Sequence, residues 1–214
     1  MKIVIIILSV LILSSCDTSV EYTDNIKFTE AQLRRTNTYE LSGRLFEIEK
    51  RYSPVVPTRD GEAASIGIKV KYPSFEGKTV ENQDFFIIKG RYPEKLIWID
   101  LWQAYDGNEI LVHNRIDSAF RYDSRLKYNE SIKLWTVSAS KYQDAFFKKD
   151  KSIYLECSKQ DKYIAPSCKG YLDLYDDSIL LIVMFKRKYL SDWNNIMTRS
   201  KKLVEKFNEN ANKK

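Results

Sequence analysis

Apolar residues recur at every second position in several separate stretches of this chain, the period of a half-buried strand. Ile66, Ile68 and Val70 alternate with polar neighbours in SIGIKVKYP, and residues 73–78 (PSFEGK) close that strand with a turn. In residues 95–103 (KLIWIDLWQ), Ile97, Ile99 and Leu101 form one wholly apolar row that should face the core, while Leu96, Trp98 and Asp100 form the other. A strand is expected before it at residues 85–89 (FFIIK). After it, a hairpin turn at Tyr105-Asp106-Gly107-Asn108 should lead into a further strand at residues 109–112. Residues 131–138 (SIKLWTVS) alternate again through Ile132, Leu134 and Thr136. Upstream, residues 39–50 read as a strand broken near Gly43. Residues 26–35 read as a short helix or part of a tether, and residues 52–64 as a loop, because two prolines and Asp60-Gly61 interrupt both helix and ladder.

The C-terminal part carries the strongest periodic signal. Residues 152–157, 170–175 and 178–185 are three strand-like runs in succession, the last two joined by Asp176-Asp177. Cys157 and Cys168 stand at the facing ends of the first two. Antiparallel neighbours bring Cα atoms within disulfide reach, so these two are expected to bond. A helix then follows: Ser191 is a suitable N-cap, and Trp193, Ile196, Met197, Leu203, Val204 and Phe207 share one face at spacings of three and four. Asn194 stands where a capping box would place Glu or Gln, and Lys201, Lys202 and Lys206 lie toward the end where the helix dipole favours cations. The pattern predicts an α+β domain, rich in antiparallel strand, with a C-terminal amphipathic helix packed on the terminal sheet.

The N-terminus breaks this pattern. In MKIVIIILSVLILSSC a positive Lys2 precedes an apolar run over residues 3–13, shorter than the about 20 residues a spanning helix needs. The ending LSSC resembles a lipobox, the bacterial signal at which the Cys thiol, here Cys16, receives a diacylglyceryl group and the chain is cut just before it. The resulting division is a signal peptide over residues 1–15, a polar tether over 16–25 and a single globular domain over 26–210. Several acyl chains, at about 0.8 kcal/mol per buried methylene, hold such a protein at a membrane without any contact by the domain itself. Asp17 resembles the signal that retains lipoproteins at the inner membrane in Gram-negative hosts, which implies the periplasmic face of that membrane.

Charge and composition narrow the chemistry. Removing residues 1–15 takes away Lys2, so 35 basic residues become 34 against 29 acidic ones, a formal charge of +5 on 199 residues. Basic clusters at Lys148-Lys149-Lys151, Lys186-Arg187-Lys188 and Lys201-Lys202 are each bounded by apolar or acidic residues, unlike the dense stripe nucleic acid requires, so no nucleic-acid partner is expected. With Cys16 taken by lipid, the three cysteines resolve into one lipid site and one pair. One His, His113, and no CxxC leave a metal site without support, and no cofactor motif is present. No nucleophile elbow or HExxH occurs, so a binding protein is expected rather than an enzyme. A glycosidase needs only two carboxylates, for which Asp100, Asp106 and Asp173 remain formal candidates.

The CSKQDKYIAPSC loop, the strand pair after it and YLSDWNNIMTRSKKLVEKF, all behind a lipobox, resemble a group of bacterial lipoproteins with immunity functions beside type VI secretion effectors, especially phospholipases delivered to the periplasm. The similarity covers the signal and residues 146–207. It implies an inhibitor of a cognate effector protein, tethered to the membrane where the toxin arrives; a structural or assembly lipoprotein of the envelope is the alternative. Because hot spots are enriched in Trp, Tyr and Arg, the expected partner-binding residues are Trp102, Tyr105, Asp106 and Asn108 at one hairpin tip. Tyr171, Tyr175, Asp176 and Asp177 form a second such patch at the terminal hairpin.

Overall fold

The computed structural model of the 214-residue chain describes residues 27–59, 62–87, 93–104, 112–120 and 125–213. Cys16, Asp17, the tether and the turn at Tyr105, Asp106 and Asn108 lie outside the described residues. The first half contains α1 (Glu30–Leu33), β1 (Thr36–Leu41), β2 (Arg44–Glu49), β3 (Thr58–Arg59), β4 (Glu62–Ala63), β5 (Ser65–Lys71) and β6 (Leu96–Gln103). The second contains α2 (Val112–Phe120), β7 (Lys127–Asn129), β8 (Leu134–Ser138), β9 (Gln143–Phe147), β10 (Tyr154–Ser158), β11 (Ser167–Leu174), β12 (Ile179–Lys186) and α3 (Trp193–Ala211).

Eight strands form one antiparallel sheet in the order β5-β6-β12-β11-β10-β9-β8-β7. The β1–β2 hairpin is a separate two-stranded layer. The two-residue alternation sorts side chains between the faces as expected. Ile66, Ile68 and Val70 of β5, Ile97, Ile99 and Leu101 of β6, and Ile179, Leu181, Val183 and Phe185 of β12 all enter the main core. Each such buried side chain contributes about 1.5–3 kcal/mol relative to leaving it in water. The inner face is covered by α3 and the hairpin. Trp193, Ile196, Met197, Val204 and Phe207 supply the helix's apolar stripe, and Asn208 donates to the Leu45 carbonyl at 2.8 Å. The helix approaches closely at Gly170, where a β-carbon would lie 2.5 Å from Met197 Sδ and 2.9 Å from Leu155 Cδ2. This arrangement is the α+β architecture predicted from the sequence, with α3 resting on β2 as well as on the large sheet.

Local departures have identifiable causes. Residues 85–89 are expected to extend; 88 and 89 lie outside the described residues, and Gln83–Phe86 is a 3-10 turn. The turn is held by polar side chains: Asn82 Oδ1 accepts from the Thr79 amide at 2.7 Å, and Gln83 clasps the backbone of Phe28 through Oε1 at 2.6 Å and Nε2 at 2.8 Å. Val112, expected to end a strand, instead opens α2, because the Asp173 carboxylate 61 positions away accepts from its amide at 3.1 Å. Ser191 is not the N-cap of the last helix. Residues Arg187–Asp192 form a 3-10 turn and α3 starts at Trp193, with the Asp192 carboxylate accepting from Tyr72 Oη and Asn195 Nδ2 at 3.0 Å each. Within the expected loop at residues 52–64, β3 and β4 make a minimal ladder and Val55 bridges Gly67 at the edge of β5. The break near Gly43 is the turn of the β1–β2 hairpin.

Candidate interaction surface

Among the described residues, a helix covers one half of the outer face of the sheet and none covers the other. α2 lies over β8 to β11, and its Val112 and Ile116 pack with Val137, Phe147, Tyr154, Tyr171 and Leu180. On β5, β6 and β12 some outward residues, such as Ser65, Leu96 and Leu180, are buried, whereas others stay in part open to solvent. The register aligns Lys69, Trp98, Met184 and Lys169 in one row, and Gly67, Asp100 and Ile182 in the next. Lys69, Trp98, Asp100, Ile182 and Met184 are half-buried and Lys169 is exposed, while Trp102, farther along β6, is 43% exposed.

Asp100 is the chemically distinctive group on this face. It accepts a hydrogen bond from Trp98 Nε1. The indole lies across Gly67, where a β-carbon would stand 2.7 Å from Asp100 Oδ1 and 3.2 Å from Trp98 Nε1, so only glycine leaves room for both. Lys69 Nζ sits 4.7 Å from the Trp98 ring centroid, a cation over the face of the indole. Burial among these rings and Ile182 pushes the Asp100 carboxyl up to about 6, against the smaller opposing effects of the Trp98 hydrogen bond and the Lys169 charge.

This burial is expected to cost stability at neutral pH. An unfolded aspartate titrates near 3.9, so between that value and about 6 the folded state holds the extra proton. Stability therefore falls as pH rises through this window and levels off above it. Two units correspond to roughly 3 kcal/mol at most, and partial solvent exposure reduces this to about 1–2 kcal/mol. Asp100→Asn keeps the shape and an acceptor for the indole. It is expected to raise stability at pH 7.5 by about 1 kcal/mol and to flatten the dependence between pH 4 and 7. Urea denaturation of both proteins at pH 4.5, 6 and 7.5 checks this; parallel curves would refute the assignment.

The structure redistributes the residues expected to bind a partner. Trp102 is on the surface as predicted, and the Ala104 amide donates to the Ser178 carbonyl at 3.0 Å, which sets the end of β6 beside the β11–β12 turn. At that turn only Asp176 and Asp177 are exposed. Tyr171 is 4% exposed, beneath α2 with the Arg115 guanidinium 4.0 Å from its ring, and so does not belong to a surface patch. Tyr175 is half-buried on the inner side, packed between Arg44 and Phe46, and its hydroxyl has no hydrogen-bond partner among the described residues. Periodicity within one strand could not show that a helix would cover Tyr171. Trp98, Ile182 and Met184 carry no expectation from the sequence and Asp100 only that of a candidate carboxylate, although the non-core row of β6 holds both Trp98 and Asp100.

Other chemistry is engaged structurally. Asp173 shares the outer face with Asp100, but its carboxylate, shifted upward by burial, is bound to the α2 amide of Val112. Cys157 and Cys168 are register partners on β10 and β11 and form the expected disulfide. A cleft of about 510 Å³ on the inner side is lined by Asp144, Phe146 and Arg187, whose guanidinium is held by Asp144 at 2.7 Å and by the Ser158 carbonyl at 2.7 Å. No group of three or more His, Cys, Asp or Glu side chains is arranged to hold a metal ion among the described residues. None of their helices is long and apolar enough to cross a membrane.

No protein-family model and no curated protein matches the chain. Among solved structures, the chain is similar to Smlt3025, an immunity protein of the Stenotrophomonas maltophilia type IV secretion system, with a TM-score of 0.61 and 13% identity over 82% of this chain and 93% of that one. The iron-regulated outer membrane lipoprotein FrpD of Neisseria meningitidis aligns over 87% of this chain and 98% of its own at 12% identity, but a TM-score of 0.44 bears no argument. At 13% identity the first likeness is one of fold: this chain shares its architecture with a secretion-system immunity protein.

Proposed function

We propose that this protein is a membrane-tethered, non-enzymatic immunity protein that binds and neutralises a toxic effector enzyme through the outer face of β5, β6 and β12. The observation that carries the reading is the geometry of this face: Trp102 is 43% exposed on it, and Asp100, flanked by Gly67 and Ile182 and hydrogen-bonded by Trp98, lies where no helix of the described residues packs. The surrounding Trp102, Met184 and Lys169 provide the mixture of aromatic, apolar and charged side chains from which interface hot spots are built. The fold likeness to an immunity protein agrees with this reading. The narrower form, a phospholipase delivered by a type VI system, rests on the sequence resemblance, and anchoring at the periplasmic face rests on the LSSC ending at Cys16 followed by Asp17.

The test is co-expression. Cells making the toxic enzyme encoded beside this protein in their periplasm should survive only when the protein is present. The purified pair should form a complex of nanomolar order, as tight inhibitors do. Trp102→Ala is expected to weaken the complex by about 10- to 30-fold with little change in stability. Cys16→Ala should abolish incorporation of labelled palmitate. Absence of both protection and complex would end the immunity reading; normal palmitate labelling of Cys16→Ala would end the anchoring one.

A further inference from the structure

The β10–β11 connection, residues 159–166, presents an apolar tip that the fold leaves bare. Ile164 is 95% exposed, and Tyr163 and Tyr142 are 46% and 48% exposed. A single exposed isoleucine on a surface is ordinary. Here the preceding residue, Tyr163, is exposed on the same loop, its ring edge to face with that of Tyr142 at 6.4 Å.

The loop beneath this tip is fastened at its base. The Cys157–Cys168 disulfide closes it across a sequence separation of 11. The Lys159 amide donates to the Tyr142 carbonyl at 2.9 Å, and the Arg187 amide donates to the Pro166 carbonyl at 3.0 Å. Arg187 Nη1 donates to the Ser158 carbonyl at 2.7 Å. A loop fastened at its base has surrendered part of its conformational entropy before any partner arrives, so less ordering on binding offsets the contacts at its tip. The chain then enters β11, where the exposed Lys169 is the register partner of Met184 on β12.

Shape decides what such a tip fits. A convex point two side chains wide buries little area against a flat surface, whereas a cleft encloses it on all sides. Enzyme substrate sites are concave and mostly apolar, with a few polar groups. We propose that the Tyr163–Ile164 tip enters an apolar-walled cleft of the toxic enzyme and blocks it against substrate. This rests on the immunity reading and adds the mode of inhibition and the element that performs it.

The experiment uses the full-length protein and the enzyme encoded beside it. Wild-type inhibition should be competitive with the enzyme's substrate. Ile164→Asp should raise the inhibition constant by about 30-fold or more, the size of a hot-spot loss, with an unchanged melting midpoint. Ile164→Leu should retain inhibition. Full inhibition by Ile164→Asp, or non-competitive inhibition by wild type, would overturn the loop's role while leaving immunity intact. A wild type that neither binds nor protects would remove both readings. Ile164→Trp fluorescence quenched by vesicles of brominated phosphatidylethanolamine and phosphatidylglycerol would assign the tip to lipid and overturn the proposal.

Discussion

Replacing Trp193 by alanine is expected to destabilise the protein by about 3–5 kcal/mol, the cost of emptying a large aromatic site in a packed core. Trp193 is the first residue of α3 and is buried, and its Nε1–H donates to the Ile132 carbonyl at 2.8 Å. Its removal therefore leaves a cavity and an unpaired buried carbonyl, and frees the start of the helix from the turn that precedes β8. Trp193→Phe retains most of the volume and loses only the donor, so its cost should be about 1–3 kcal/mol, that of one buried group left unsatisfied. Chemical denaturation of the two variants separates packing from hydrogen bonding. A loss below about 1 kcal/mol for the alanine variant would show that the site collapses without penalty. Because α3 also closes over Gly170 and supports β2 through Asn208, the loss should appear as one cooperative transition shifted to lower denaturant rather than as fraying of the helix end.

Loss of the Cys157–Cys168 bond is expected to lower stability by roughly 2–5 kcal/mol, the range for a native disulfide. Closure of the loop accounts for roughly 3 kcal/mol in the chain-entropy description. Both cysteines are fully buried in the main core, so the double alanine variant also loses packing. Mass spectrometry of a non-reduced digest should recover the two cysteine peptides linked. Two free, alkylatable thiols in protein isolated from the periplasm would refute the bond there. The consequence reaches beyond stability, because the same bond fastens the loop that carries Ile164. At a temperature where the double variant remains folded, its inhibition should still be weaker than that of wild type, whereas Trp193→Phe should inhibit normally whenever it is folded.

Several features were legible from the residues in order. The row Ile97, Ile99 and Leu101 faces the core because alternate residues of a strand point to opposite sides whatever their neighbours. The helical spacing of Trp193, Ile196, Met197, Val204 and Phe207 likewise specified one buried stripe. The two cysteines met because the runs holding them are consecutive and antiparallel, which makes register a local matter. The start of α3 was misplaced for the opposite reason. Ser191 has the right chemistry for a cap, but Asp192 is bound by Tyr72 from 120 residues away and the preceding turn is tightened into a 3-10 form.

What the sequence by itself determined was therefore the type of most elements, the inward row of each main strand, the α+β class and the cysteine pair, because period and short-range pairing act between near neighbours. Tertiary structure alone decided the strand order that seats β12 between β6 and β11, and with it the row that sets Asp100 beside Ile182 and Gly67. It also decided which outward residues stay open. Tyr171 and Trp102 both point away from the main core, yet Tyr171 is buried because α2, capped by Asp173, lies over it, while Trp102 stands beyond the helix. A strand's alternation distinguishes its two faces, but whether the second face meets solvent depends on a helix positioned by a residue 61 places away, and no local pattern carries that contact.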